Sequence, residues 1–403
     1  MSERGLNNFF NEYLKKESIF VDKSVFQGAY LPETINHRDK EVNYIAKVIA
    51  PILRGDKPSN LFVYGKTGTG KTMCLKHIIK NINDVSNSNN LPIKIVYVNC
   101  KLKRVADTEY RLLAQLARDF GKEIPTTGLP TDEVYKIFYN AVESEAKPIM
   151  LVLDEIDQLI KKTGDGILYN LTRCNEDLKN SHITLIGLSN DMVFIDTLDP
   201  RVRSSLSEEE LVFPPYNALQ IQDILRQRAK KAFKQDALEQ GAIEKCAAYS
   251  AREHGDARRA LELLRVAGEL AERDNETKIT AKYIDKAEEK IERDRLIDIV
   301  ATQPKQSQCI LYSIIKLSAN KREAIFTGGI YDFYKLLCDK TGLRPLTQRR
   351  ISDVIAELDM LGIINAKIIY KGRYGRTREV SLAIPDSSVS NMDKILEKEL
   401  GLI

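Results

Sequence analysis

Leu61-Phe62-Val63-Tyr64-Gly65-Lys66-Thr67-Gly68-Thr69-Gly70-Lys71-Thr72 is the stretch on which the reading of this chain turns. Four apolar residues suit a buried strand, and the eight that follow fit the phosphate-binding loop G-x-x-x-x-G-K-[ST]. Glycines let backbone N–H groups close around phosphate oxygens, and the helix expected from Met73 to Ile82 turns its positive end toward them. Lys71 is then placed to reach the β- and γ-phosphates, and Thr72 to ligate Mg²⁺. The stretch predicts binding of ATP or ADP with Mg²⁺ through Gly65, Thr67, Gly68, Thr69, Gly70, Lys71 and Thr72. Taken alone it would equally suit a kinase, a transporter subunit or a GTPase.

About 85 residues further on, Ile149-Met150-Leu151-Val152-Leu153 carries Asp154-Glu155 to the end of a second apolar run, the spacing of a Walker B strand. Asp154 is the candidate Mg²⁺ ligand and Glu155 the candidate activator of water. The same acidic pair would also suit a plain helix start. Ile183 to Leu188 ends in Ser189-Asn190, an amide at a strand tip that either orients water or simply forms a turn.

Around these motifs, short apolar runs alternate with helical periodicity from Leu61 to about Pro214, which predicts a parallel sheet with helices on both faces. The remaining runs are Ile93 to Val98 and Leu211 to Phe213. After Pro214-Pro215, residues 218–293 hold no convincing strand and read as about four helices. A polar linker near Gln303-Pro304 leads into a last module. The expected organisation is an N-terminal arm (1–20), an α/β nucleotide domain (21–216), a helical lid (217–300) and a C-terminal domain (301–403).

Bulk properties exclude other classes. A chain of 403 residues with 43% hydrophobic and 29% charged residues is globular, with no apolar run long enough to span a bilayer. The N-terminus carries no signal pattern, so a cytoplasmic, nucleoid-associated location without membrane attachment is expected. Six cysteines stand singly and four histidines do not join them, which argues against a zinc site or disulfide framework. Net charge is +4, yet residues 301–386 hold 14 Lys and Arg against 8 Asp and Glu. That basic module points to an anionic partner.

Within it, Thr347 suits the cap of a helix whose stripe is Ile351, Val354, Ile355, Leu358 and Leu361. Gln348, Arg349, Arg350 and Ser352 then lie near the helix N-terminus, the part of a recognition helix that meets base edges. Two strands follow, joined by Lys371-Gly372-Arg373-Tyr374-Gly375-Arg376-Thr377-Arg378, and Val380, Leu382 and Ile384 alternate behind them. A helix with a basic hairpin looks like a winged helix, with Lys371, Arg373, Tyr374, Arg376 and Arg378 against DNA. A charged, solvated hairpin or a protein dock would share this pattern.

The motif order resembles the AAA+ ATPases. The resemblance makes Asn190 the sensor 1 position, Arg201 in Asp199-Pro200-Arg201 the arginine finger, and Arg258 in Gly255-Asp256-Ala257-Arg258 sensor 2. More narrowly, the chain resembles the archaeal replication initiators related to the largest eukaryotic origin-recognition subunit and to the helicase-loading factor. Ser18-Ile19-Phe20, His37-Arg38, Val98-Asn99-Cys100, Leu153 to Asp157, Phe213-Pro214-Pro215-Tyr216 and the basic hairpin carry that likeness, over nearly the whole chain. It implies nucleotide contacts from Arg38 near the adenine and from Tyr216 and Arg228 at the start of the lid. It also implies a DNA-touching helical insert between about Arg104 and Tyr135. As partners it implies duplex DNA at replication origins, the replicative helicase and paralogous initiators. As activity it implies a weak ATPase in which ATP acts as a switch. The competing reading is a signalling or transposition-associated P-loop ATPase whose winged helix docks protein.

Overall fold

A computed structural model describes residues 10–11, 17–101, 106–125, 128–206, 208–253, 255–319, 325–370, 376–384 and 386–402. Contacts divide the chain into two compact units, Met1–Ile284 and Asp285–Ile403.

In the first unit, β1 (Asn60–Tyr64), β2 (Lys94–Asn99), β3 (Pro148–Asp154), β4 (His182–Ser189) and β5 (Glu208–Val212) form one parallel sheet in the order β2-β3-β4-β1-β5. β1 and β3 are buried at every position, which explains their unbroken apolar runs. β5 is an edge strand that begins Glu208-Glu209-Glu210, so only its apolar end was legible. Helices α1 (Asp39–Ile49) and α2 (Lys71–Ser88) share one apolar core with Leu61, Val63, Met150 and Ile186 of the sheet. α3 (Glu109–Asp119), α4 (Thr131–Glu145), α5 (Ile156–Thr163), α6 (Gly166–Asp177) and α7 (Pro200–Leu206) share a second, larger one. The stretch expected to be a DNA-touching insert holds α3 and the start of α4, where Leu112, Leu113 and Val134 are fully buried.

The lid consists of α8 (Ala218–Ala232), α9 (Ala242–Arg252) and α10 (Ala257–Arg273), followed by α11 (Ala281–Ala301), which carries the chain into the second unit. Asn217 and Gln220 form a reciprocal capping box at the start of α8. The end of the expected N-terminal arm and the first residues after it lie against the lid. Ile19 and Phe20 are buried on the lid, where Phe20 stacks on Phe233 at 4.8 Å. A Cβ on Gly268 of α10 would sit 2.6 Å from the Phe20 ring, so the glycine makes room for it. The chain then runs along α8, with Thr34 Oγ1 accepting from Gln227 Nε2 at 2.9 Å, before it enters α1. Residues 19–34 are thus a strap on the lid.

The second unit holds α12 (Lys305–Ser318), β6 (Ile325–Phe326), α13 (Thr327–Thr341), α14 (Gln348–Met360), β7 (Ile364–Tyr370), β8 (Arg376–Leu382) and α15 (Asp386–Glu399). Its antiparallel sheet has the order β6-β8-β7. Thr347 caps α14 by accepting from Arg350 N, and Ile351, Val354, Ile355 and Leu358 are buried. Leu361 lies past the helix end and is 40% exposed. The two-residue β6 carries no periodicity and was not read from the sequence. Among the described residues no helix is long and apolar enough to cross a membrane.

Candidate functional site

β1, β3 and β4 end on the same edge of the sheet, because all are parallel. That edge, where helix N-termini also gather, is where open α/β sheets bind ligands. One pocket there is walled by Thr67 to Met73, Asp154, Glu155, Asn190, Tyr216 and the lid residues Arg228 and Arg258, with residues 26–32 and 34–36 as its far side.

Gly68 and Gly70 hold φ of 70° and 95°, left-handed values that suit glycine. The loop they shape folds Lys71 inward. Its ammonium donates to Gly65 O (2.6 Å), Lys66 O (2.9 Å) and Asn190 Oδ1 (2.9 Å), which uses all three donors. Burial pushes the lysine down to about 8; the charge of Arg258 adds to this and Asp154 opposes it.

Asp154 is 4% exposed. Thr72 Oγ1 donates to its Oδ2 at 3.1 Å, and the Tyr97 hydroxyl donates to the same oxygen. Burial, with the hydrogen bond to Asp154, raises the Tyr97 phenol, so it stays a donor. Glu155 occupies the left-handed region (φ 58°) at the start of α5, the sharp turn that points it away from the strand. Lys101 Nζ lies 3.7 Å from its Oε2. Asn190 is steadied by its own N–H to Asp157 Oδ1 at 3.4 Å, and Asp157 is 2% exposed.

From the lid, Asp256 caps α10 by accepting from Arg258 N (2.8 Å) and Arg259 N (3.1 Å). The same residue accepts from Thr67 Oγ1 (3.3 Å), while Ala257 N donates to Gly68 O (3.3 Å). The lid helix is hydrogen-bonded directly to the phosphate loop. Arg228 is 6% exposed, its guanidinium 4.4 Å from the Tyr30 ring centre, and its Nη1 finds no hydrogen-bond partner among the described residues. A buried guanidinium nitrogen without an acceptor on a pocket wall is the mark of a missing anion or polar ligand.

Arg38, expected beside the base, stands behind the loop instead. It is 2% exposed and donates to Thr69 O (3.0 Å), Pro214 O and Glu41, with its plane 3.9 Å from the Tyr216 ring. Arg201 lies on α7, outside the pocket wall; its side chain is 87% exposed and bonded to Asp199 at 3.3 Å. Sequence reasoning missed Tyr97, Asp157 and Asp256 as working parts. Each stands inside or beside a quoted motif, yet its partner lies far along the chain.

In the second unit Gln348 and Arg349 are exposed at the start of α14. Arg350 faces two acids of its own helix, Asp353 and Glu357, each at 3.7 Å. Arg378 Nη1 donates to Ser352 O at 2.8 Å, tying β8 to α14. The backbone of Arg376 pairs with Tyr370; Lys371, Arg373 and Tyr374 lie outside the described residues.

The groups around the phosphate loop, the buried Lys71, Arg228 with one nitrogen unpaired, and hard oxygen donors on Thr72 and Asp154, fit a nucleotide with Mg²⁺. Comparison with known proteins identifies the domains. Residues 54–191 match the model of an AAA domain, 222–289 a Cdc6 AAA+ ATPase-type lid domain, and 298–392 the C-terminal winged helix domain of CDC6. The chain is 49% identical to an ORC1-type DNA replication protein of Thermococcus onnurineus, over 97% of this chain and 95% of the relative. It is 48% identical to ORC1-type DNA replication protein 1 of Methanosarcina acetivorans, over 99% and 95%. It is similar to the structure of Aeropyrum pernix ORC1 in complex with DNA, at 42% identity and a TM-score of 0.81, over 95% of this chain and 98% of that one. The chain therefore belongs to the archaeal ORC1-type DNA replication proteins, initiators of the AAA+ class with a Cdc6-type lid and a C-terminal winged helix.

Proposed function

We propose that this chain binds duplex origin DNA and helps bring the replicative helicase, with ATP binding and slow hydrolysis as a conformational switch. The observation that carries the switch is the direct bonding of the lid to the phosphate loop, Ala257 N to Gly68 O and Thr67 Oγ1 to Asp256. A nucleotide whose ATP and ADP forms sit differently on the loop shifts those bonds and hence the lid. Lys71 binds phosphate, and Asn190 and Arg258 sense the γ-phosphate. Thr72 and Asp154 hold Mg²⁺, which when bound supplies charge against the phosphoryl oxygens. Glu155 orients water, and its neighbour Lys101 restrains it, in keeping with slow turnover. Tyr216 and Arg228 close the lid side of the pocket. Exposed Arg201 serves in trans, toward a neighbouring initiator's nucleotide.

DNA binding is supported by the related Aeropyrum pernix structure, which was solved with DNA, and we assign the contact to Gln348, Arg349, Ser352 and the wing residues Lys371, Arg373, Tyr374, Arg376 and Arg378. Arg350, engaged by its own acids, contributes least. Exposure of Met360 (87%) and Ile368 (60%) favours a second reading, in which the winged helix also docks protein. Turnover and DNA footprints measured with ATP and with ADP, for wild type and Glu155→Gln, test the proposal. Expected is a nucleotide-dependent footprint and loss of turnover in the variant; unchanged turnover removes the role given to Glu155.

A further inference from the structure

We propose that Tyr97 is a positioning residue for metal-dependent nucleotide binding, its phenol fixing the Asp154 carboxylate so that Thr72 and Asp154 present their oxygens to a divalent cation together. The inference rests on reading Thr72 and Asp154 as the Mg²⁺ end of the pocket.

Asn99 is the register partner of Asp154 across β2 and β3, and Tyr97 lies two residues before it. Period-two alternation puts Tyr97, Asn99 and Asp154 on one face of the sheet. α2 covers that face: Lys76, one turn beyond Thr72, holds its Nζ 5.0 Å from the centre of the Tyr97 ring. The ring is therefore held on the strand side by its own backbone and on the helix side by a cation over its face.

From that seat Tyr97 donates to Asp154 Oδ2, the oxygen that also accepts from Thr72 Oγ1 at 3.1 Å. Two hydroxyl donors on one oxygen fix the plane of the carboxylate. The terminal torsion of an aspartate is otherwise broad and roughly two-fold, so a single donor leaves it free to swing. A threonine that gives its proton to Asp154 turns its lone pairs outward, which is what a hard cation needs. Among the described residues Asp154 Oδ1 accepts no hydrogen bond, and Asp154 lies on the pocket wall. The arrangement separates one oxygen that is held from one that is offered. The plainer alternative is a half-buried phenol satisfied by the nearest acceptor, with no consequence for metal.

Titrating Mg²⁺ into protein with a fluorescent ATP analogue, for wild type and Tyr97→Phe, separates the two. The variant keeps the ring and its packing, and thermal unfolding without metal checks that it is folded. Expected is a rise of about tenfold or more in the Mg²⁺ concentration at half-effect, with analogue affinity in EDTA unchanged. In the Asp154→Ala background, Tyr97→Phe should then add nothing. A wild-type Mg²⁺ midpoint in Tyr97→Phe overturns the proposal, as does an equal loss with and without metal. If wild type binds the analogue with no Mg²⁺ effect at all, the underlying reading of Thr72 and Asp154 falls as well.

Discussion

The Asp256 carboxylate lies where a side chain on Gly68 would go: a Cβ built there meets Asp256 Oδ1 at 1.7 Å. Gly68 also sits at φ 70°, so it serves two needs, the turn of the phosphate loop and the seat of the lid. Gly68→Ala should cost about 1–2 kcal/mol in backbone strain alone. It should also push Asp256 and the start of α10 off the loop. Expected is faster proteolytic cleavage around residues 253–258 and weaker ATP binding. Wild-type cleavage with wild-type affinity would show that the lid does not rest on this glycine.

Lys71 gives a pH prediction. Its amine is pushed down to about 8 from an unfolded value of 10.5 because burial disfavours the charge. Below pH 8 both states are protonated, and the folded chain carries the full cost of a buried cation. Between 8 and 10.5 the unfolded chain binds more protons, so stability rises with pH in that window. The span corresponds to about 3 kcal/mol. The unfolding free energy of wild type minus that of Lys71→Met should therefore climb from pH 8 toward 10.5. Saturating ATP should flatten the climb, since phosphate keeps the ammonium charged. A flat difference without nucleotide would contradict the burial argument.

Arg38 joins the helix α1, the phosphate loop and the entry to the lid through Thr69 O, Pro214 O and the Tyr216 ring. Arg38→Met removes the donors and leaves the buried Thr69 carbonyl and the partly buried Pro214 carbonyl unpaired, a loss of about 2–3 kcal/mol. Arg38→Lys should recover little, because a point charge cannot bond two carbonyls and stack at once. Denaturant unfolding checks the stability, and nucleotide affinity should fall with it. Full rescue by lysine would mean that charge alone matters at this position.

Arg38 also marks the limit of what the sequence carries. The sheet was legible because β1 and β3 are buried on both faces and therefore apolar throughout. The phosphate loop, Asp154 and Asn190 were legible because each stands at a strand end in a fixed local pattern. Nothing local separates a buried Arg38 behind the loop from one on the pocket wall. Phe20 on the lid depends on Phe233 and Gly268, more than two hundred residues away, and Tyr97 depends on Asp154 across a strand pair. Such pairs are set by tertiary packing, to which periodicity and spacing are blind.

Arg349 and Arg378 were read alike as DNA contacts, and their surroundings now tell them apart. Arg349 is exposed at the start of α14, whereas Arg378 is half-buried and spends a nitrogen on Ser352 O at 2.8 Å. Arg349→Ala should leave unfolding unchanged, weaken duplex binding, and lower the slope of log affinity against log salt by about one unit if it meets a phosphate. Arg378→Ala should destabilise the C-terminal unit by about 1–2 kcal/mol, since the wing loses its tie to the helix. Its DNA binding should fall both through the lost contact and through that loosening, and the second part should fade at low temperature. Binding at several salt concentrations, read beside thermal unfolding of each variant, checks both. A wild-type slope in Arg349→Ala together with wild-type affinity would take the N-terminus of α14 out of the interface and leave DNA to the wing.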